Sequence, residues 1–271
     1  IDRKNKEIKI AYPVELFEQG NMPQILSSIA GNIFGMKVLR NLRLQDISFP
    51  KKIVDSFKVS RFGIKGVRNL LKVKRRALIG TIIKPKVGLN VKEHARVAYD
   101  AWVGGCDIVK DDENLASQKF NLFEHRLAKT LEMADKTEQE TGEKKAYLVN
   151  VTAETREMIK RAQLVEKMGG KYVMLDIITC GWAAVQTLRE ANFKLAIHAH
   201  RAMHADFTRN KKHGISMMVL ADIARLMRVD QFHIGTVVGK LEGDIELVRE
   251  LNDEIDKKKV KETKNKIEHK E

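Results

Sequence analysis

The run Lys110-Asp111-Asp112-Glu113 sets an amine beside three carboxylates at the end of a short apolar stretch. Asp112 and Glu113 offer hard oxygen ligands, which suit magnesium better than zinc or copper. Two carboxylates alone make a weak cation site. A protonated lysine cannot add to it, but a neutral amine that takes up carbon dioxide becomes a carbamate and supplies a third anionic oxygen. The competing reading is an acidic helix N-terminus, since Asp and Glu favour the first turn after a strand. Taken alone, the quartet fits that reading better.

Other reactive side chains fall at comparable places. Lys84 and Lys86 flank Pro85, whose ring restricts the backbone, so two cations are presented together. Such a pair suits a phosphorylated or enolate-forming substrate, and equally an exposed surface pair. His198 and His200 share one face of an extended segment, with Arg201 on the other unless the chain turns. A histidine there can act as acid or base near neutral pH, and an arginine fork can grip phosphate. His204 and His213 read as structural. His233 precedes the loop Gly235-Thr236-Val237-Val238-Gly239-Lys240-Leu241-Glu242-Gly243. Its glycines would let it hinge and carry Lys240 inward, or bind phosphate through backbone amides. It is not a P-loop, because Lys240 is not followed by Ser or Thr.

These residues need elements to place them. From Leu78 onward, β-rich apolar runs alternate with helical patterns, as in βα units with a parallel sheet. The strands are expected at Leu78 to Ile83, Asp107 to Lys110, Ala146 to Val151, Tyr172 to Ile177, Lys194 to His198 and Gln231 to Ile234. Helices are expected over Val91 to Trp102, around Phe123, Leu127, Leu131 and Ala134, and over Glu154 to Met168, Ala183 to Glu190, Ile215 to Met227 and Ile245 to Ile255. The expectation is an α/β fold, a TIM (β/α)8-type barrel with six βα units present. In such a barrel the C-terminal strand ends carry the chemistry, and the reactive side chains above collect at that rim. Before it, Ile8 to Ala11 and Val38 to Leu44 read as strands and Gln24 to Ile29 and Ile64 to Leu71 as helices. Residues 1–60 then form part of a small α+β N-terminal domain, 61–77 a connection, 78–256 an incomplete barrel domain and 257–271 a charged tail.

Composition bounds the remaining classes. With 43% hydrophobic and 32% charged residues among 271, the chain can bury a sizeable core. It has no run of roughly 18 apolar residues and no apolar stretch at Ile1-Asp2-Arg3-Lys4, so no membrane partner and a cytoplasmic location are expected. Cys106 and Cys180 sit in core-like segments as free thiols. The net charge of +14 is spread over Lys51, Lys52, Lys72, Lys74, Arg75, Arg76 and the tail, without interleaved aromatics, so no nucleic-acid partner is expected.

Together these segments resemble the large subunit of ribulose-1,5-bisphosphate carboxylase/oxygenase (RuBisCO), nearest its archaeal branch, from about Ile10 to about Leu251. The motifs are Gly31-Asn32-Ile33-Phe34-Gly35, Lys84-Pro85-Lys86, Gly104-Gly105 through Glu113, His200-Arg201-Ala202-Met203-His204-Ala205, and His233 through the Lys240 loop. The resemblance implies that Lys110 is the carbamylated lysine and that Asp112 and Glu113 complete a magnesium site. It implies that Lys84 protonates product, Lys86 supports charge, His200 assists proton transfers, Arg201 and His233 hold one phosphate, and Lys240 stabilises added carbon dioxide. Asn32 would reach a partner subunit's site, which implies a dimer or an assembly of dimers. The substrates would be ribulose 1,5-bisphosphate with carbon dioxide or oxygen, in archaea downstream of nucleoside monophosphate breakdown. The family's Glu and Thr-Trp site residues would precede Ile1, and its later phosphate-binding glycine segments would follow Glu271. Ile82 stands where plant members carry threonine. Two other readings are a RuBisCO-like enolase or isomerase and an inactive truncated fragment.

Overall fold

The computed structural model describes residues 1–2, 4, 6–57, 61–236, 238 and 245–257. Lys240, Gly239 and Gly243 of the glycine loop, and the tail from residue 258, lie outside the described residues. The N-terminal part holds α1 (Met22–Ala30), a 3-10 turn at Asn32–Gly35, β1 (Arg43–Leu44) and α2 (Lys51–Asp55). Then come α3 (Gly63–Leu71), β2 (Gly80–Ile82), α4 (Val91–Val103), β3 (Ile108–Lys110), α5 (Phe123–Thr141), β4 (Ala146–Asn150) and α6 (Thr155–Lys167). The chain continues through β5 (Tyr172–Asp176), α7 (Ile177–Cys180), α8 (Trp182–Glu190), β6 (Ala196–His200), α9 (Ala205–Thr208), β7 (Gly214–Ile215), α10 (Met217–Leu226), β8 (Gln231–Phe232) and α11 (Ile245–Asp256).

Six strands form one parallel sheet in the order β2-β3-β4-β5-β6-β8, so each strand lies beside the next of its βα units, as expected of a barrel wall. Strand parity sorts the side chains into two faces. Val109, Tyr147, Val149, Val173, Leu175, Ile197 and Ala199 join the core beneath the helices, with Ala98, Trp102, Leu127, Met158, Ala162 and Leu188. The other parity lines the concave side. Its lower part, Ala146, Leu148, Tyr172, Met174 and Ala196, packs on Val67 and Leu71 of α3. The residues nearer the strand ends are Lys110, Asn150, Asp176, His198 and His200. The concave side is thus apolar at the floor and polar at the C-terminal rim. The segment read from sequence as a connection therefore supplies, in α3, the plug of the barrel floor. Each buried Leu or Met there contributes about 2 kcal/mol through removal of apolar surface from water.

The strands expected at Leu78 to Ile83 and Gln231 to Ile234 shorten to Gly80–Ile82 and Gln231–Phe232, and three other expectations change further. Ile8 to Ala11 is exposed and joins no strand, because no neighbouring strand among the described residues offers it a ladder. The Val38 to Leu44 strand shrinks to Arg43–Leu44, which pairs in parallel with Gly214–Ile215 and ties the N-terminal part to the segment after β6. The strand expected over Lys194 to His198 runs instead over Ala196–His200, since its polar end faces the concave rim and the apolar run alone does not mark it.

Candidate active site

Lys110 ends β3 on the concave side and is 8% exposed. Burial lowers its ammonium pKa from the ordinary lysine value, and the nearby acids Glu113, Asp112 and Asp111 only partly restore it. A larger share of neutral amine follows, which is the form that can add carbon dioxide. Lys110 Nζ lies 3.8 Å from Glu113 Oε2 and donates to the Asp111 carbonyl at 3.1 Å. Glu113 Oε2 is in turn 3.9 Å from His200 Nε2.

Asp112 is fully buried, and its Oδ2 accepts a hydrogen bond from Lys84 Nζ. Its Oδ1 accepts from the backbone and side chain of Asn114 at 2.8 and 3.0 Å. Burial alone would raise the carboxyl pKa, but these donors outweigh it and hold Asp112 below the usual range. Asn150 at the tip of β4 donates to the carbonyls of Asp112 and Glu113, at 3.3 and 2.9 Å, which pins the acidic turn to the sheet. The structure thus brings Lys84, Lys110, Asp112, Glu113 and His200 together at one rim. Lys86, two residues after Lys84, is exposed, without a carboxylate at ion-pair distance among the described residues.

Asp111, between these residues, points the other way by strand parity. Its carboxylate accepts from Tyr147 Oη at 2.6 Å, Arg126 Nε at 3.2 Å and Asn150 N at 3.0 Å, and lies 3.0 Å from His94 Nε2. Burial opposes ionisation here, yet Arg126 and His94 prevail and hold the carboxyl at about 2. Arg126 also donates to the carbonyls of Asn121 and Ala116, at 2.8 and 2.7 Å. The quartet therefore serves two functions: Lys110, Asp112 and Glu113 face the rim, and Asp111 faces the helix layer.

On the far side of the rim, His233 stacks edge-to-face with His198 at 4.7 Å and with His200 at 5.0 Å between ring centroids. Burial depresses the His198 pKa well below the ordinary imidazole value and that of His233 to about 3, so both rings are neutral at neutral pH. Arg201 is buried, donates to the Ile234 carbonyl at 3.0 Å and packs against Gly235. His204 bonds Thr208 Oγ1 at 2.9 Å within one turn, and His213 Nδ1 accepts from Leu42 N at 3.4 Å, across to the N-terminal part; both contacts are structural. Asn32 is exposed in the N-terminal part and hydrogen-bonds to no rim residue among the described residues. Asp176, not among the candidates drawn from sequence, ends β5 on the concave side, with Oδ1 2.9 Å from His200 Nδ1. Its signal was an acid of inward parity closing the buried run Tyr172–Asp176.

Among the described residues, no three or more His, Cys, Asp and Glu side chains are grouped to hold a metal. Asp112 and Glu113 therefore fit a hard cation only with a further anionic oxygen from a modified Lys110, and the depressed amine beside Glu113 suits that chemistry. A surface cavity of about 440 Å³ lined by Asn90, Lys92, Lys119, Phe120, Leu122 and His125 includes none of these groups.

A parallel α/β barrel sheet with its lysines, acids and histidines at the C-terminal strand ends has the layout of the (β/α) barrel class, in which that rim is where chemistry is carried. Residues 63–269 match the ribulose bisphosphate carboxylase large chain, catalytic domain, and residues 1–53 match the N-terminal domain of the same chain. The protein belongs to the ribulose bisphosphate carboxylase large-chain family. It is 61% identical to the ribulose bisphosphate carboxylase of Methanocaldococcus jannaschii over 92% of this chain and 58% of that relative. The octameric ribulose-1,5-bisphosphate carboxylase/oxygenase of Pyrococcus horikoshii OT3 superposes with a TM-score of 0.89 at 49% identity, over 93% of this chain and 60% of that one. The dimeric archaeal enzyme of Hyperthermus butylicus gives 0.84 at 50% identity, over 89% and 56%. The chain thus spans under two thirds of the length of these relatives.

Proposed function

We propose that this chain carries the catalytic core of a ribulose-bisphosphate carboxylase, which adds carbon dioxide to ribulose 1,5-bisphosphate and yields two 3-phosphoglycerates, or one with phosphoglycolate when oxygen adds instead. The observation that carries this reading is the convergence of Lys110, Glu113 and His200 within 4 Å steps, with Asp112 against Lys84. Carbamylated Lys110, Asp112 and Glu113 would hold magnesium, which when bound supplies Lewis-acid stabilisation of negative charge on substrate oxygens. Lys110, once carbamylated, would serve as the base toward the C3 proton of the substrate. Lys84 returns a proton to the three-carbon product, and Lys86 offsets negative charge beside it. His200 assists proton transfers through its Nε2 edge.

Arg201 and His233 suit one phosphate. The buried guanidinium contributes charge, and the neutral imidazole contributes a hydrogen bond. Lys240 is assigned to added carbon dioxide on resemblance alone. Asn32, exposed in the N-terminal part, supports a homodimer or an assembly of dimers in which it completes a partner's site; the dimeric and octameric relatives favour the same arrangement. The archaeal likeness supports a place downstream of nucleoside monophosphate breakdown. A cytoplasmic location belongs to this reading, and among the described residues no helix is long and apolar enough to cross a membrane.

The test is incubation with magnesium, labelled bicarbonate and ribulose 1,5-bisphosphate. Labelled 3-phosphoglycerate is the expected product. Enolisation of substrate without incorporation of label would replace the carboxylase reading with an enolase or isomerase, and absence of either would leave a non-catalytic chain.

A further inference from the structure

We infer that Asp176 is a positioning residue that fixes the ring orientation and tautomer of His200, so that the Nε2 edge of the ring faces Glu113. The inference rests on the reading of His200 as a rim acid or base and adds the group that aims it.

Asp176 and His200 are register partners at the ends of adjacent strands, so their side chains emerge side by side on the concave face. Asp176 Oδ1 lies 2.9 Å from His200 Nδ1, whereas the opposite ring nitrogen Nε2 lies 3.9 Å from Glu113 Oε2. The acid is itself held: its backbone N–H donates to Thr152 Oγ1 at 3.0 Å, which links β4, β5 and β6 at one height. Four other acids with buried side chains each have an arginine or lysine partner: Asp107 meets Arg76, Asp111 meets Arg126, Asp112 meets Lys84 and Asp230 meets Arg189. Asp176, only 4% exposed, meets an imidazole instead. A buried carboxylate without a donor is costly, on the order of several kcal/mol, so the Nδ1 edge must supply a proton.

One contact competes. The Ala202 N–H approaches the same Nδ1 at 3.2 Å, and that nitrogen cannot accept from it while donating to Asp176. The carboxylate prevails because the alternative sets a nitrogen lone pair against a buried anion with no proton between them. With hydrogen on Nδ1, the lone pair of Nε2 is directed to the rim, where it can accept a proton. His233 packs edge-on to the ring at 5.0 Å between centroids.

The experiment is nitrogen-15 spectroscopy of protein labelled selectively at histidine, with the His200 signals identified by their loss in His200→Gln. The expected spectrum shows hydrogen on Nδ1 of His200. In Asp176→Ala, or in Asp176→Leu of similar size should the cavity prevent folding, the hydrogen shifts wholly or partly to Nε2. Asp176→Asn, which keeps an acceptor oxygen, restores Nδ1–H. Hydrogen on Nε2 in the unaltered protein, or an unchanged tautomer in the Ala and Leu variants, overturns the inference. None of these spectra needs magnesium or substrate, so a failure of the carboxylase reading would show separately as absent product. Where turnover is measured, kcat of Asp176→Ala falls by about 10- to 100-fold with KM within about threefold, and Asp176→Asn recovers part of it.

Discussion

Lys110 illustrates how a single residue trades stability for reactivity. Its amine is buried beneath a polar rim, and the burial that lowers its pKa also destabilises the fold, because a charge in that place loses hydration. Lys110→Met should therefore leave the melting temperature unchanged or raise stability by about 1 kcal/mol. The same substitution should abolish carbon-dioxide-dependent magnesium binding, as titration calorimetry with and without bicarbonate would register. Retained binding would show that the cation is held without the amine. Arg201→Lys is not conservative here, since an ammonium cannot reproduce the fork. Its expected effect is a rise in KM for the bisphosphate of about 10-fold or more, with a smaller change in kcat, measured by steady-state kinetics.

At the scale of elements, the rim is positioned from behind. Asp111 ties β3 to α4 through His94, to α5 through Arg126 and to β4 through Tyr147 and Asn150. Breaking one side of a buried pair leaves the other charge unpaired, so Arg126→Met should cost about 3 kcal/mol or more in chemical denaturation. A loss under 1 kcal/mol would mean that the pair contributes little to how the acidic turn is held. The start of α4 is a smaller anchor: Asn90 accepts from Lys92 N and Glu93 N, while Glu93 accepts from Asn90 N. Asn90→Ala should cost about 1 kcal/mol, which the same denaturation series would resolve from the larger effect.

For the molecule as a whole, the buried histidines set the response to acid. His233 in the folded chain takes a proton only at about 3, whereas an unfolded histidine does so near 6.5. Between those values the unfolded state binds the extra proton, so folded stability is full above about pH 6.5 and falls as pH decreases. Asp111 acts further down: its folded carboxyl near 2 against 3.8 contributes stability that is present above about pH 4 and lost toward pH 2. Thermal melts from pH 7.5 to 3 should show a decline that begins in the range of histidine titration. In His233→Gln the slope above pH 4 should flatten while the steep part below it persists. An identical slope in the variant would remove His233 from the account.

Much of this arrangement was legible in the amino-acid order, because period and parity are local properties. Apolar runs spaced by helical patterns located the barrel strands, though not the end of β6, and the polar ends of four of them marked the rim with Lys84, Lys110, Asp112, Glu113, His200 and His233. What required the folded chain was everything set by neighbours distant in sequence. The Asp176–His200 pair spans strands whose register no local pattern records, and α3 became a floor plug only where the curled sheet left an apolar base to cover. Ile8 to Ala11 has the composition of a strand but no ladder to join, since a strand exists only through its partner. Residue type and spacing thus determined which groups could do chemistry, while strand register decided which of them touch.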